Sequence, residues 1–125
     1  MYPPKLCLQA AVCYTGDVSQ KDARYSLDYY VKFARQLVEL GAHVIAIKDM
    51  AGLLKPEAAA LLVGTLRKEF PHIPIHVHTH DTAGTGVASM LAAAYAGADV
   101  VDVAVDSMSG LTSQVTTHPL LNNPC

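Results

Sequence analysis

The stretch Ile73-Pro-Ile-His-Val-His-Thr-His-Asp81 places histidines at 76, 78 and 80, separated by Val77 and Thr79. Side chains on a β-strand alternate between faces, so the three imidazoles share one side, with Ile75, Val77 and Thr79 on the other. Same-face neighbours stand about 6.6–6.8 Å apart along a strand, and two imidazoles so spaced can converge on one ion with bonds of roughly 2.0–2.1 Å. A polar strand face with merely hydrogen-bonded histidines is the plainer alternative. Three in alternation favour a metal.

Working outward from this strand, the flanking segments are helical. Upstream, Pro56 suits the first turn of a helix whose apolar side carries Ala59, Leu62, Val63 and Leu66 and which stops near Phe70-Pro71. Downstream, the glycine-containing loop Asp81 to Gly86 enters a helix with Val87, Met90, Leu91 and Ala94 as its expected buried positions. Gly97 ends that helix, and Val100 to Ala104 is the fourth strand.

Nearer the start, Cys7 to Tyr14 reads as a buried strand and Val44 to Ile47 as another. Between them, Leu27, Tyr30, Val31, Ala34, Leu37 and Val38 recur at helical spacing. Asp22 or Ser26 is the candidate cap, and Gly41 the left-handed terminator. The order is β-α-β-α-β-α-β, which implies parallel strands joined by right-handed crossovers. Gly41-Ala-His-Val-Ile-Ala-Ile47 and Gly97-Ala-Asp-Val-Val-Asp-Val103 repeat one helix-to-strand junction. The fold class is α/β, either an open sheet or a (β/α) barrel.

The 125 residues, 51% of them hydrophobic, suffice for one domain. A net charge of -2 leaves no footprint for nucleic acid or an anionic membrane, and no apolar run is long enough to span a bilayer. Met1 to Leu6 does not read as a secretory signal. Cys7, Cys13 and Cys125 form no Cys-x-x-Cys pair and read as reduced thiols of an intracellular protein, the first two packed as small hydrophobes.

In parallel α/β structures functional groups gather beyond the C-terminal ends of the strands. Four polar groups fall there: Tyr14 to Asp17, Lys48-Asp49, His78 with His80 and Asp81, and Asp106 to Gly110. A lysine that closes an apolar strand loses solvation, which favours the neutral amine and its reaction with carbon dioxide to a carbamate. Carboxylated Lys48 with His78 and His80 makes an oxygen–nitrogen set suited to zinc or manganese. The alternative is a lysine that snorkels to the rim and pairs with Asp49 or Asp81. Asp102 either faces the interior near the metal or accepts a hydrogen bond. Thr82 to Gly86 lacks a P-loop lysine, so its glycines serve a tight turn.

Four ordered blocks, Tyr14-Thr-Gly-Asp17, Ile47-Lys-Asp-Met-Ala-Gly-Leu-Leu-Lys-Pro56, His76-Val-His-Thr-His-Asp-Thr82 and Asp102-Val-Ala-Val-Asp-Ser-Met-Ser-Gly-Leu-Thr-Ser-Gln114, resemble the carboxyltransferase domain of the pyruvate carboxylases. The match runs from about Gln9 to Gln114, leaving residues 1–8 as a poorly matching start and 115–125 as a divergent tail. Oxaloacetate decarboxylase and transcarboxylase subunits share the lysine and histidine blocks, but the Tyr-Thr-Gly-Asp block favours pyruvate carboxylase. A metal-dependent lyase or aldol-type synthase on a related barrel fits less well, because it does not usually carry the lysine run.

The resemblance implies a TIM-type barrel with a manganese or zinc ion at its C-terminal rim. Its ligands would include Lys48 as a carbamate, His78 and His80, with His76 not a ligand and Asp49 and Asp81 orienting the others. The implied reaction carboxylates pyruvate to oxaloacetate with carboxybiotin delivered by a separate carrier domain, ATP being used in another domain. A homo-tetramer, in the mitochondrial matrix of a eukaryote and otherwise in the cytoplasm, is the implied setting. A full barrel needs eight βα units in about 250 residues, and four are present here. The first-strand aspartate that would be the fourth ligand, the pyruvate-binding arginine and the catalytic threonine fall outside the chain. A fragment or truncated product is therefore expected, with an inactive metal-binding fragment as the alternative to a working carboxyltransferase.

Overall fold

The computed structural model describes residues 6–20 and 24–122. Strand β1 (Gln9–Cys13) leads to helix α1 (Leu27–Glu39), β2 (Val44–Asp49), α2 (Pro56–Glu69), β3 (Ile75–Thr79), α3 (Gly86–Tyr95) and β4 (Val100–Val101). A 3-10 turn at Asp106–Met108 and a short helix α4 (His118–Leu121) follow. The strands form one parallel sheet in the order β1-β2-β3-β4. The chain is thus a run of four βα units with strand order equal to chain order, the connectivity of a (β/α) barrel.

Local sequence explains the boundaries. Ser26 caps α1 by accepting from the Tyr29 amide, while Asp22, the other candidate, lies outside the described residues, as does Cys125. Pro56 opens α2, where its missing N–H costs nothing. Gly41 and Gly97 both adopt positive φ, 98° and 105°, so the repeated junction is one left-handed helix stop used twice.

Parallel register puts paired residues on a common face. One face carries Val12, Ile45, Ile47, Ile75 and Val77, buried against Tyr30 and Ala34 of α1, Ala59, Leu62, Val63 and Leu66 of α2, and Met90 and Ala93 of α3. Truncating such a side chain, Ile75 for instance, costs about 2–5 kcal/mol. The other face carries two rows: Cys13, Lys48 and His78 in one, Ala11, Ala46, His76 and Val100 in the next. Inward layers of this kind are what fill a barrel.

No helix packs on that second face among the described residues, and its exposure changes several expectations. Strand β1 is not buried throughout: Gln9, Ala11 and Cys13 are exposed while Val12 is buried. Cys7 and Cys13, expected to pack as small hydrophobes, are both exposed. Lys48 is exposed as well, so the expected desolvation is absent. Cys13 and Lys48 are neighbours in one row of that uncovered face.

Two elements also differ in detail. Of the expected inward positions of α3, Met90 is fully buried and Val87 packs against the core, while Leu91 and Ala94 are only half-buried; Gly86, Ser89 and Ala93 complete the buried stripe. Small residues face inward because α3 closes on the loop before α2, where Ser89 Oγ donates to the Leu54 carbonyl at 2.5 Å. The fourth strand pairs with β3 only at Val100 and Val101, although the Asp102 amide still donates to Val77 at 3.1 Å. Ala104 bridges Thr116 instead. Residues 115–121, set apart by sequence, pack on the domain: Val115 is fully buried and Leu120 lies against the core.

Candidate metal centre

The strand ends converge on one rim, as alternation predicts. Lys48 is the direct register partner of His78, so their backbones lie one strand spacing apart, about 4.7–4.9 Å. Beyond the strand proper, the His80 amide donates to the Asp49 carbonyl at 3.2 Å, which holds His80 on the same face.

The two imidazoles at the rim meet through Nε2 atoms 3.3 Å apart. His78 Nδ1 lies 2.6 Å from Asp102 Oδ2, and His80 Nδ1 lies 2.6 Å from the Thr112 carbonyl oxygen. A carbonyl oxygen and an ionised carboxylate only accept, so both Nδ1 atoms carry a hydrogen, and in the neutral form of each ring its Nε2 then presents a lone pair. Two lone pairs at this distance repel unless a proton or a metal cation lies between them. Two metal–nitrogen bonds of about 2.0–2.1 Å meeting at roughly 100–110° span about 3.1–3.4 Å, so the pair fits a single divalent ion.

His76 stands one row deeper. Its Nε2 lies 2.8 Å from Asp102 Oδ1 and its Nδ1 3.1 Å from Gln9 Oε1, so both ring nitrogens are engaged. Asp102 therefore does both things that the sequence left open: it faces the same side as the histidines and accepts from two of them. Burial raises its carboxyl, but the hydrogen bonds from His78 and His76 and their charges outweigh that and hold it below the usual carboxylate range. Gln9 went unnoticed; its signal was a polar residue in register with Ala11 and Cys13 on an otherwise apolar strand.

The carboxylates expected to orient the ligands point elsewhere. Asp49 faces the helices, fully buried, and accepts from the Leu53 amide at 3.0 Å, the Leu54 amide at 2.8 Å and Thr79 Oγ1 at 2.8 Å. Asp81 Oδ1 accepts from the Gly86 amide at 2.9 Å. Both hold loops in place, and direct contact with an imidazole falls to Asp102. Lys48 forms no ion pair with Asp49 or Asp81, so the snorkelling alternative lacks its partner. Among the described residues no three His, Cys, Asp or Glu side chains converge as a metal-binding group.

The Tyr14-Thr-Gly-Asp17 loop borders the rim and is tied down from two sides. Tyr30 Oη accepts from the Thr15 and Gly16 amides at 2.9 and 3.2 Å, and its ring stacks on Tyr14 at 5.5 Å. Burial pushes the Tyr14 phenol up to about 12. Asp17 accepts from Lys55 Nζ at 3.0 Å, which joins this loop to the start of α2.

A sheet of successive parallel βα units with polar residues at its C-terminal rim defines the class, and residues 9–114 match the HMGL-like family model. The chain belongs to the HMGL-like family. More narrowly, it is 66% identical over 108 residues to pyruvate carboxylase 1 of Caenorhabditis elegans, covering 86% of this chain and 9% of that protein. It is 62% identical over 115 residues to the mitochondrial pyruvate carboxylase of Rattus norvegicus, covering 91% and 10%.

Among solved structures, the carboxyl transferase domain of Rhizobium etli pyruvate carboxylase superposes with a TM-score of 0.87 at 50% identity, covering 91% of this chain and 19% of that one. The same domain with pyruvate and biocytin matches with the same score. The chain spans about a tenth of the length of its carboxylase relatives.

Proposed function

We propose that this chain forms part of the carboxyltransferase barrel of a biotin-dependent pyruvate carboxylase and supplies three ligands of its rim metal: Lys48 as a carbamate, His78 and His80. The observation that carries this reading is the pair of opposed Nε2 atoms, 3.3 Å apart, beside the register partner Lys48. On that face Lys48 is open to solvent, so it can meet dissolved carbon dioxide; the ammonium loses one proton to become the amine and a second on forming the N–C bond of the carbamate, which leaves an anionic oxygen donor in place of a cation. His78 and His80 contribute neutral nitrogen. Asp49 and Asp81 hold the loops that follow β2 and β3.

A divalent manganese or zinc ion, held by Lys48 as its carbamate with His78 and His80, would supply a Lewis acid toward the carbonyl of pyruvate. The carboxyl group would arrive on biotin carried by a separate domain and loaded at the expense of ATP in another. The relatives support that assignment by name, and the mammalian ones are named mitochondrial, which suggests the matrix for a eukaryotic parent. A homo-tetramer is the proposed assembly of the full-length parent.

Metal content of the purified chain, measured beside Lys48→Ala and His78→Ala, tests the site. Stoichiometric metal in the wild type and loss in both variants is the expected result. Equal content in all three, or none in any, overturns it. The open inner face favours a second reading, in which the chain binds metal without turnover. Oxaloacetate formed from pyruvate and added free carboxybiotin by the chain alone would exclude that second reading.

A further inference from the structure

One carboxylate at this rim stands apart from the ligands proposed above. The Asp102 amide donates to the carbonyl of Val77, the residue between His76 and His78, so its side chain projects between the two imidazoles. Each carboxylate oxygen then meets a different ring, Oδ1 with His76 Nε2 at 2.8 Å and Oδ2 with His78 Nδ1 at 2.6 Å. The Gln9 side-chain amide closes the far side of His76 at 3.1 Å. Gln9, Lys48, His76, His78 and Asp102 all line one cavity of about 240 Å³ on the histidine-bearing face of the sheet.

We infer that Asp102, braced by His76, is a positioning residue that fixes His78 in its Nδ1–H tautomer and so aims the Nε2 lone pair at the rim. A neutral imidazole carries one hydrogen, and an ionised carboxylate has none to give, so the nitrogen facing Asp102 must hold it. His76 is what keeps the carboxylate there. With one oxygen committed to each ring, Asp102 cannot rotate about its terminal bond without losing a charge-assisted hydrogen bond. His76 therefore has a function although it ligates nothing: it orients the group that orients a ligand. Outer partners of this kind are the usual determinants of imidazole orientation at metal sites. What the lone pair serves rests on the proposed metal site; the tautomer does not.

Long-range nitrogen–proton correlation spectra of the histidines, recorded on the metal-free chain at about pH 8.5, above the ordinary imidazole range, read the tautomer directly. The wild type is expected to show His78 as Nδ1–H, and an Nε2–H form overturns the inference without any variant having to fold. In Asp102→Asn, one carboxylate oxygen becomes an amide that donates, so the two rings compete for a single acceptor. A substantial share of His78 is then expected as Nε2–H, with zinc affinity reduced on the order of 10–100-fold. An Asp102→Asn chain with native circular dichroism and an unchanged His78 tautomer overturns the inference. The expected tautomers in a wild type that takes up no zinc support it and overturn the proposed metal site instead.

Discussion

Lys48 and Asp49 are neighbours in sequence and lie on opposite faces of β2, the lysine exposed and the aspartate completely buried. One strand end therefore does two jobs. The lysine shares a sheet face with its register partner His78, while the aspartate fastens the loop that carries the chain into α2.

Asp49→Ala is expected to destabilise the domain by about 3 kcal/mol or more, because the Leu53 and Leu54 amides and the Thr79 hydroxyl lose their acceptor together. Asp49→Asn, which keeps one acceptor oxygen, should fall between the two. Urea denaturation of the three chains checks the order. An alanine variant as stable as the wild type would contradict the role assigned to this carboxylate.

Gly52 couples the same loop to the histidine strand. It sits at φ 66°, and a Cβ there would stand 2.8 Å from the His80 carbonyl oxygen and 3.2 Å from the Ala83 amide nitrogen. Gly52→Ala thus combines a left-handed backbone with a clash against main chain that has no side chain to swing away, and should cost about 2–4 kcal/mol. His80 ring resonances should shift with it, which a remote Gly→Ala change such as Gly64→Ala, with open space around its Cβ, should not produce.

Acid should loosen the Asp17 tie between the first two loops. Hydrogen bonds from the Ser19 hydroxyl and Lys55, with the Ser19 amide, hold its carboxyl at about 2 against an ordinary 3.8. A carboxyl depressed in the folded state stabilises above its unfolded value, and that contribution fades as pH falls from about 4 toward 2. Thermal melts across that window should show a shallower acid loss in Asp17→Asn than in the wild type. The effect is expected to be small, since Lys55 is exposed and solvent screens the pair.

Cys7 and Cys13 should both react promptly with Ellman's reagent in the folded 125-residue chain, without denaturant. Cys13→Ser should alter stability by no more than about 0.5 kcal/mol, as for other exposed positions. Slow labelling of Cys13 that quickens in urea would show that something covers the inner face in solution, self-association included.

Much of the site was legible because its determinants are local. Alternation put His78 and His80 on one face, and the βα order put Lys48 on the same rim. The helical stripe of α2 could be read residue by residue, since its pattern of large apolar side chains faces a sheet. Of the α3 stripe, only Met90 could be. Its inward residues are a glycine, a serine, a methionine and an alanine, selected for close approach to α2 and the Leu54 loop, and hydrophobicity does not mark small residues as buried.

By itself the sequence determined the order of elements, the face of each strand on which the histidines lie, the helix stops at Gly41 and Gly97, and the kinship of residues 9–114. These follow from periodicity and turn chemistry within a few residues. Only the tertiary structure decided that Asp102 joins His76 to His78, that the two Nε2 atoms oppose each other, that Asp49 turns toward the helices, and that Cys13 and Lys48 stay open to solvent. Each of those depends on the register between strands some 25 to 35 residues apart and on what covers a sheet face, and hydrogen bonding across a sheet leaves no mark on the local pattern of either strand.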